Sequence, residues 1–275
     1  MSQHPSPVIE GQRLTRTRSP SSGERRTVPE ARAATPPGAG PVPSPAAHLR
    51  IGGLTPLTTV DYPGELAAIV FCQGCPWRCR YCHNGHLLPA QGGNLIAWTE
   101  VRSFLVKRRQ LLDAVVFSGG EPTLQSALPA AMAEAKAMGY KVGLHTAGPY
   151  PERLRRALPY VDWVGLDIKA LPEDYPAITG VPGSGERAWD SLWLLLQSGI
   201  SLEVRTTPMP GHHPDDQLTR LRAELSQAGV YHHVIQQCRT ERTNGNDGND
   251  GKQEGTSSAV VRDRRKPYCA ACRPS

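Results

Sequence analysis

Short apolar runs alternate with longer amphipathic stretches through the middle of this chain. Residues 66–71 (LAAIVF) form a continuous apolar run that is typical of a strand buried on both faces. Residues 98–112 instead carry apolar side chains at helical spacing. The same pattern continues and predicts strands at 66–71, 114–117, 141–144, 161–166, 201–204 and 230–235, with helices at 98–112, 123–138, 151–158, 185–198 and 215–228.

The predicted helix ends follow from local chemistry. Thr99 is the expected N-terminal cap of the first helix because its hydroxyl can accept from a free backbone N–H. Gly139, Gly199 and Gly229 are the expected stops of three other helices, because glycine readily takes the left-handed conformation that ends a helix.

This alternation of strands and helices indicates an α/β fold with a parallel sheet and helical crossovers. Six strand-helix units are too few for a closed barrel of eight strands. We therefore predict an open, partial (βα)6 TIM-like barrel. An open doubly wound sheet, with its site at a switch point in strand order, is the alternative.

Both ends of the chain differ from this core. Residues 1–47 are rich in Pro, Ser and Arg and have almost no large apolar side chain, so we predict a disordered extension. A targeting peptide is disfavoured there, because the segment lacks an apolar stretch and contains three glutamates. Residues 239–275 read as a low-complexity linker and a tail with Cys269 and Cys272. The core domain is expected at 48–238.

Charge and hydropathy narrow the class of protein. Of the formal net charge of +6, a share of +3 lies in residues 1–47 and +2 between Arg239 and Lys266. The middle is close to neutral, which argues against a nucleic-acid partner. No apolar run approaches the roughly 18 residues of a membrane span. Together with cysteines that cluster rather than pair, these features predict a cytoplasmic protein.

Four of the seven cysteines lie between Phe71 and Asn84. The spacing C-x-x-x-C-x-x-C of Cys75, Cys79 and Cys82 lets one short loop place three thiolates around an iron-sulfur cube and leaves the fourth iron open. Cys72 extends the run, so a zinc knuckle or a ferredoxin-like site with four cysteines remains open. Taken alone, Cys72 is also compatible with a buried thiol at the end of a strand.

Polar residues follow each predicted strand, and in a parallel barrel they share the carboxyl edge where such folds carry their chemistry. In the turn 118–122 (SGGEP), two glycines permit close backbone approach and one carboxylate can accept from an ammonium group. Asp167 and Lys169 flank one apolar residue and should point to the same side, which would also suit a simple salt bridge. The other residues at this edge are His145, Thr146, Arg205 and Gln236.

The cysteine spacing, with Tyr81 directly before the last cysteine, resembles the signature of the radical S-adenosylmethionine (SAM) superfamily. The resemblance implies that Cys75, Cys79 and Cys82 bind a [4Fe-4S] cluster, whose open iron chelates SAM, and that Tyr81 lies against the adenine. Cleavage of SAM by one electron would then yield a 5'-deoxyadenosyl radical. It further implies that the Gly-Gly-Glu-Pro element holds the SAM amino group and that Asp167 and Lys169 act in the cofactor and substrate region. Together with Thr146 and Arg205, chosen for their positions at strand ends, the predicted cofactor-binding residues are Tyr81, Gly119, Gly120, Glu121 and Pro122. The predicted catalytic residues are Asp167 and Lys169.

A narrower resemblance rests on longer segments. TVDYPG at 59–64 followed by QGCPWRCRYC at 73–82 resembles the glycyl-radical-activating enzymes. With GLHTAG at 143–148 and DWVGLDIKA at 162–170, the segment 54–84 resembles the activating proteins of anaerobic ribonucleoside-triphosphate reductase. This implies a glycine of that reductase as the substrate and a flavodoxin- or ferredoxin-type electron donor.

Other interpretations remain open at this point. The partner could be another glycyl-radical enzyme of the pyruvate formate-lyase type. A non-catalytic iron-sulfur or zinc protein is a third interpretation, against which the two further edge motifs argue. Cys238, Cys269 and Cys272 could form an auxiliary metal site or a redox pair, or belong to an unstructured tail. The paired histidines at 212, 213, 232 and 233 lack metal-ligand partners at useful spacing and are expected to be structural.

Overall fold

A computed structural model of the protein describes residues 44–209 and 215–237. Its strands are β1 (Ile51–Thr58), β2 (Ala67–Cys72), β3 (Ala114–Gly119), β4 (Lys141–Thr146), β5 (Trp163–Asp167), β6 (Ser201–Thr206) and β7 (His233–Ile235). Its α-helices are α1 (Trp98–Val106), α2 (Leu128–Ala137), α3 (Pro151–Ala157), α4 (Tyr175–Thr179), α5 (Ser184–Ser198) and α6 (Asp215–Gln227). Short 3-10 helices occur at Pro45–His48, Gly85–Leu87, Pro122–Leu124, Leu158–Tyr160 and Pro172–Asp174.

The seven strands form one sheet in the order β1-β2-β3-β4-β5-β6-β7. Strands β2 to β7 are all parallel, and β1 alone is antiparallel to its neighbour β2. Because the order never reverses, the sheet has no switch point, and the doubly wound alternative is wrong. The predicted partial (βα)6 barrel is confirmed.

The sheet separates two apolar layers, as side chains that alternate along parallel strands require. Val70, Phe117 and Leu166 pack on the face that the helices cover. Tyr62 and Trp163 lie on the other face, the inside of the open barrel, with their ring centroids 5.2 Å apart. The segment that contains Tyr62 therefore fills the base of the barrel and leaves the carboxyl edge for the polar residues.

Strand β1 was not predicted as a strand, because Gly52, Gly53 and Pro56 resemble turn residues. The structure pairs Leu54 with Val70 of β2, and β1 lies at the edge of the sheet, where proline is tolerated. A Cβ on Gly52 would lie 2.3 Å from the Gln73 side chain. The glycine is thus needed because the cysteine loop packs against this strand.

The helix predicted at 98–112 is shorter than expected. Helix α1 ends at Val106, and Leu111, whose apolar side chain suggested a continuation to 112, is 58% exposed. The N-cap of α1 is Ala97 and not Thr99, whose carbonyl accepts from the Ser103 hydroxyl at 2.8 Å.

The predicted helix 123–138 is interrupted. Its first part is the 3-10 helix Pro122–Leu124, and α2 begins only at Leu128. Pro129, in the first turn of α2, has no N–H to donate to the Gln125 carbonyl, so a continuous helix would lack this bond. The Gln125 side chain instead accepts from the Arg50 N–H at 2.7 Å and donates to the Arg50 carbonyl at 2.8 Å, which ties the chain to the start of β1.

The predicted glycine stops are confirmed. Gly139, Gly199 and Gly229 all have positive φ values, of 91°, 71° and 91°. A side chain is strained in this conformation, so glycine is the residue that ends each helix at low cost.

The folded domain begins earlier than the predicted boundary at 48. Ser44 caps the 3-10 helix Pro45–His48 by accepting from the Ala46 N–H at 3.2 Å, and Ala46 is fully buried. The predictions for residues 1–43, for His212 and His213, and for 238–275 with their three cysteines lie outside the described residues. In the two described ranges, no helix is both long and apolar enough to cross a membrane.

Candidate active site at the carboxyl edge of the sheet

The cysteine loop, residues 73–84, starts where β2 ends. The Gly74 N–H donates to the Leu87 carbonyl at 2.7 Å, so the chain returns beside its own start. Inside this turn, the buried Gln73 side chain donates to the Pro89 carbonyl at 2.8 Å. These bonds fix the base of the loop, and the cysteines lie between its two fixed ends.

The glycines of the turn 118–122 bring β3 against this loop. The Gly120 N–H donates to the Cys72 carbonyl and the Glu121 N–H donates to the Gly74 carbonyl, both at 2.9 Å. A Cβ on Gly119 would lie 2.4 Å from the Cys72 nitrogen, and one on Gly120 would lie 2.4 Å from the Gly74 oxygen. The sequence suggested that these glycines allow approach to a ligand. The structure shows that they allow approach to the cysteine loop.

Helix α4, which the sequence pattern did not predict, supports the other side of the loop. The Arg78 N–H donates to the Thr179 carbonyl at 3.0 Å, and the Arg80 N–H donates to the Ile178 carbonyl at 3.2 Å. The backbone on both sides of Cys79 is therefore fixed to the end of α4.

Tyr175 links this support to the strand ends. Its ring meets the buried Trp77 ring edge-on, with centroids 5.9 Å apart. Its hydroxyl oxygen accepts from the Lys169 N–H at 2.8 Å. Tyr175 thus connects the cysteine loop to the residues that follow β5. No spacing in the sequence indicated this role.

The four cysteines near β2 fall into two environments. Cys72 is fully buried in the layer between sheet and helices, and burial strongly raises the pKa of its thiol. Cys75, Cys79 and Cys82 are only partly buried. Burial raises the pKa of Cys75 to about 12, with smaller effects from the neighbouring thiolates of Cys79 and Cys82. Burial also raises the pKa of Cys79, opposed by the charge of Lys169.

The donor set fits a cluster better than a single ion. The cysteine loop offers three partly buried thiols, those of Cys75, Cys79 and Cys82. A zinc knuckle needs four such ligands around one centre, whereas three thiolates on an iron-sulfur cube bind three different irons. The buried position of Cys72 supports its interpretation as a packing residue and argues against the site with four cysteines.

Glu121 joins the turn 118–122 to the end of β4. Its carboxylate is buried and accepts from the Thr123 N–H at 3.0 Å, the Thr146 hydroxyl at 2.7 Å and the Ala147 N–H at 3.0 Å. Burial raises the pKa of Glu121, and these hydrogen bonds oppose that effect. Thr146 is buried with its hydroxyl on Glu121, so the structure shows it as a support of the turn. The expected contact of Glu121 with the SAM ammonium stays a prediction.

Asp167 and Arg205 form an ion pair on the inner side of the sheet. The Arg205 Nε donates to Asp167 Oδ1 at 3.1 Å, and Arg205 Nη2 lies 3.1 Å from the same oxygen. Burial would raise the pKa of Asp167, but the charges of Arg205 and Lys169 outweigh it and hold that pKa below its usual value. A Cβ on Gly165 would lie 2.8 Å from the Arg205 guanidinium carbon, so the absence of a side chain at that position makes room for the pair.

Lys169 connects this pair to the cysteine loop. Its Nζ lies 3.7 Å from Asp167 Oδ2 and 5.5 Å from the centroid of the buried Tyr81 ring. Burial opposes the charged amine, yet the pKa of Lys169 is well above its usual value, because Tyr81, Cys79 and Asp167 favour the positive charge. The expected salt bridge between Asp167 and Lys169 is present, and the lysine also faces the cysteines.

His145 completes the polar inner surface as a neutral group. Its Nε2 donates to the Asp61 carbonyl at 2.8 Å, and Nδ1 lies 3.4 Å from the Ser118 hydroxyl. Arg205 Nη1 is 3.2 Å from Nε2. Burial, and next the charge of Arg205, lower the pKa of His145 to about 4. These contacts give His145 a structural role between Asp61 and Arg205.

We expect His145 to make stability depend on pH. Its pKa is about 4 in the folded chain against the model-peptide value of 6.5, so the unfolded chain binds the proton first as pH falls. Stability from this residue is full above pH 6.5 and decreases by up to about 3 kcal/mol towards pH 4. When the free energy of unfolding is measured with urea at several pH values, it should depend less steeply on pH for His145→Gln than for the unmodified protein. The exposed His86→Gln is the control, and equal slopes for all three proteins would contradict the assignment.

The structure brings together most of the predicted site. Tyr81, the turn 118–122, Asp167 and Lys169, and Arg205 all lie at the carboxyl edge beside the cysteine loop. Gln236 lies at the far edge, where its N–H donates to the Thr206 carbonyl at 2.8 Å, and takes no part in this cluster.

Comparison with known proteins agrees with this geometry. Residues 69–221, more than half of the chain, match the Radical SAM superfamily. The chain is 28% identical over 197 residues to a protein of Methanocaldococcus jannaschii named as a glycyl-radical enzyme activating enzyme, which covers 68% of this chain and 79% of that protein. It is 32% identical over 175 residues to the pyruvate formate-lyase-activating enzyme of Clostridium pasteurianum. The match covers 58% of this chain and 69% of that protein.

A solved structure supports the fold. SuiB of Streptococcus suis, bound to S-adenosylmethionine, superimposes with a TM-score of 0.51 at 13% identity over 62% of this chain. The match covers 40% of SuiB, so less than half of that protein is shared.

The chain belongs to the radical SAM superfamily, whose enzymes use a [4Fe-4S] cluster and SAM. Within the superfamily it belongs to the enzymes that activate glycyl-radical enzymes.

Proposed function

We propose that this protein installs a glycyl radical on anaerobic ribonucleoside-triphosphate reductase. Cys75, Cys79 and Cys82 would hold the [4Fe-4S] cluster, and SAM would lie between the cluster and the inner side of the sheet. The bound cofactors supply the electron and the deoxyadenosyl group that removes a hydrogen from a glycine Cα of the reductase. The observation that carries the proposal is the fixed position of the cysteine loop beside Lys169 and the turn 118–122.

The chain's own groups have distinct tasks in this proposal. Lys169 offers a buried positive charge between Tyr81 and Asp167, where it can hold the carboxylate of SAM. Glu121 and its glycines fix the distance between the strand ends and the cysteine loop. Tyr81 is buried beside Lys169 and can pack against the adenine. These residues bind and orient, and they exclude water from the reacting atoms.

Asp167 is the group suited to the substrate. Its side chain keeps 39% exposure while Arg205 holds one of its oxygens. It is therefore able to accept from a backbone N–H of an entering glycine loop without losing its charge. We infer that a partner protein covers the mouth of the barrel when its glycine loop enters.

Two partners are candidates. The segments 54–84, 143–148 and 162–170 resemble the activating proteins of the reductase, which favours that partner. Relatives named as pyruvate formate-lyase-activating enzymes, at 32% and 30% identity, favour pyruvate formate-lyase as the second candidate. The electron donor in either case is of flavodoxin or ferredoxin type.

The test is direct. The protein is reconstituted anaerobically with iron and sulfide, reduced with photoreduced 5-deazariboflavin and incubated with SAM, and 5'-deoxyadenosine is measured. We expect release of 5'-deoxyadenosine, and a glycyl radical signal by electron paramagnetic resonance when the reductase is added. A fully loaded cluster without 5'-deoxyadenosine would contradict the activity. A radical on pyruvate formate-lyase and none on the reductase would contradict the choice of partner.

A further inference from the structure

The backbone of Lys169 is bonded to α4. One residue earlier, the Ile168 N–H donates to the Arg205 carbonyl of β6 at 2.9 Å, which continues the parallel pairing of β5 with β6. The Lys169 N–H donates instead to the hydroxyl oxygen of Tyr175, the first residue of α4, at 2.8 Å. A side chain of α4 therefore fixes the point at which Lys169 leaves the sheet.

Tyr175 is held firmly by its surroundings. Its side chain is fully buried, and its ring meets the Trp77 ring edge-on at 5.9 Å between centroids. Its carbonyl accepts from the Thr179 hydroxyl at 3.0 Å, and that hydroxyl lies 2.7 Å from the Ser184 hydroxyl at the start of α5. A close-packed ring of this kind has little freedom to move, so its hydroxyl is a fixed acceptor.

The same helix holds the cysteine loop. The carbonyls of Ile178 and Thr179 accept backbone hydrogen bonds from the two residues that flank Cys79. Helix α4 is only five residues long, and it is joined to the cysteine loop at its end and to Lys169 through Tyr175 at its start. The distance between Lys169 and the predicted cluster ligand Cys79 thus depends on this helix.

We propose that Tyr175 is a positioning residue, which places Lys169 at the distance from the cysteine loop that SAM binding requires. This inference rests on the proposed function, in which SAM lies between the predicted cluster and the Lys169 amine. A ligand that spans two groups binds well only when their separation matches it. The lysine side chain is long and flexible, so a fixed backbone limits the positions that its amine can take.

The test removes one hydroxyl and keeps the ring. Tyr175→Phe loses the acceptor of the Lys169 N–H, whereas its contact with Trp77 remains. Tyr140→Phe is the matched control, because Tyr140 is also buried and its hydroxyl donates to the Leu105 carbonyl at 2.6 Å. Tyr140 directly precedes β4 and so lies at the end of the sheet away from the cysteines. Each variant loses one buried hydrogen bond to the backbone, and both melting temperatures should fall by about 2–4 °C.

SAM affinity distinguishes positioning from a purely structural role. Equilibrium dialysis with labelled SAM measures Kd for the enzyme reconstituted with iron and sulfide but not reduced, so that no cleavage occurs. For Tyr175→Phe we expect Kd to rise about tenfold at unchanged iron and sulfide content, as when a residue that orients a ligand-binding group is lost. For Tyr140→Phe we expect Kd to stay within about twofold of the unmodified enzyme. Equal Kd values for the two variants, or a loss of iron in Tyr175→Phe, would overturn the positioning role.

A double variant tests whether Tyr175 acts through Lys169. Lys169→Met removes the amine and should weaken SAM binding by itself. Adding Tyr175→Phe to Lys169→Met should then change Kd by less than about twofold, because residues that act as a unit have non-additive effects. A further tenfold loss in the double variant would overturn the inference. Failure of the unmodified, fully reconstituted enzyme to bind SAM would instead overturn the proposed function.

Discussion

Replacement of Cys79 by alanine is expected to abolish SAM cleavage. Cys79 lies in the middle of the loop, and its neighbours on both sides are fixed to α4 by backbone hydrogen bonds of 3.0 and 3.2 Å. The loop cannot move another thiol into its place, so two thiolates would remain for three irons. We expect the iron and sulfide content to fall with the activity, and 5'-deoxyadenosine release to drop to the background of protein without a cluster.

Cys72→Ala is the matched control for this prediction. The same atom is removed only one short loop away, but Cys72 is fully buried between sheet and helices. We expect this variant to keep its iron and sulfide and to lose about 1 kcal/mol of stability. Cys272→Ala should also keep its activity. Loss of the cluster in Cys72→Ala, or an intact cluster in Cys79→Ala, would show that the ligands are assigned wrongly.

The repeating part of the fold was predictable from the sequence because each period repeats the same physical pattern. An apolar strand such as 66–71 needs cover on both faces, and the following amphipathic helix supplies it on one face. Each crossover is long enough to return the chain to the same end of the sheet, so neighbouring strands run parallel. The edge strand β1 was not predicted in this way, because glycine and proline are not typical of strands. Its glycines leave room for the cysteine loop, and its proline is tolerated because β1 lies at the edge of the sheet.

The location of the site residues was predictable, because polar groups that follow parallel strands meet at one edge of the sheet. Their binding roles stay predictions. Tyr175 could not be found in this way. Its role depends on a hydroxyl that meets the Lys169 N–H and a ring that meets Trp77, and both contacts exist only after α4 has docked.

Predictions from single residues were also limited by partners that are distant in sequence. The hydrogen bond from the Thr146 hydroxyl to Glu121, on the neighbouring strand's turn, was not predicted. Gln125 seemed part of a helix, but its side chain is bound to Arg50, 75 residues away in sequence. Local patterns do not encode such pairings, because they depend on the register of neighbouring strands.

Replacement of Gly120 by alanine is expected to displace the cysteine loop. The added Cβ would lie 2.4 Å from the Gly74 oxygen and 2.8 Å from the Leu87 oxygen, and both are backbone atoms that cannot rotate away. The hydrogen bond from the Gly120 N–H to the Cys72 carbonyl would lengthen as the two segments separate. Such overpacking costs about 1–3 kcal/mol of folding stability. A shift of about 1 Å between a reacting group and its substrate can lower a rate by about a hundredfold, so SAM cleavage should suffer more than folding.

Gly85→Ala separates the effect of the added methyl group from its position. Gly85 lies at the return of the same loop, and a Cβ there would meet no atom within 4 Å. We expect Gly85→Ala to keep full cluster content and SAM cleavage within about twofold, because an open surface substitution changes little. For Gly120→Ala, thermal unfolding, iron content and 5'-deoxyadenosine release should all decrease, with the largest decrease in the last. If Gly120→Ala instead cleaves SAM as fast as Gly85→Ala does, the contact between the turn 118–122 and the cysteine loop does not set the geometry of the reaction.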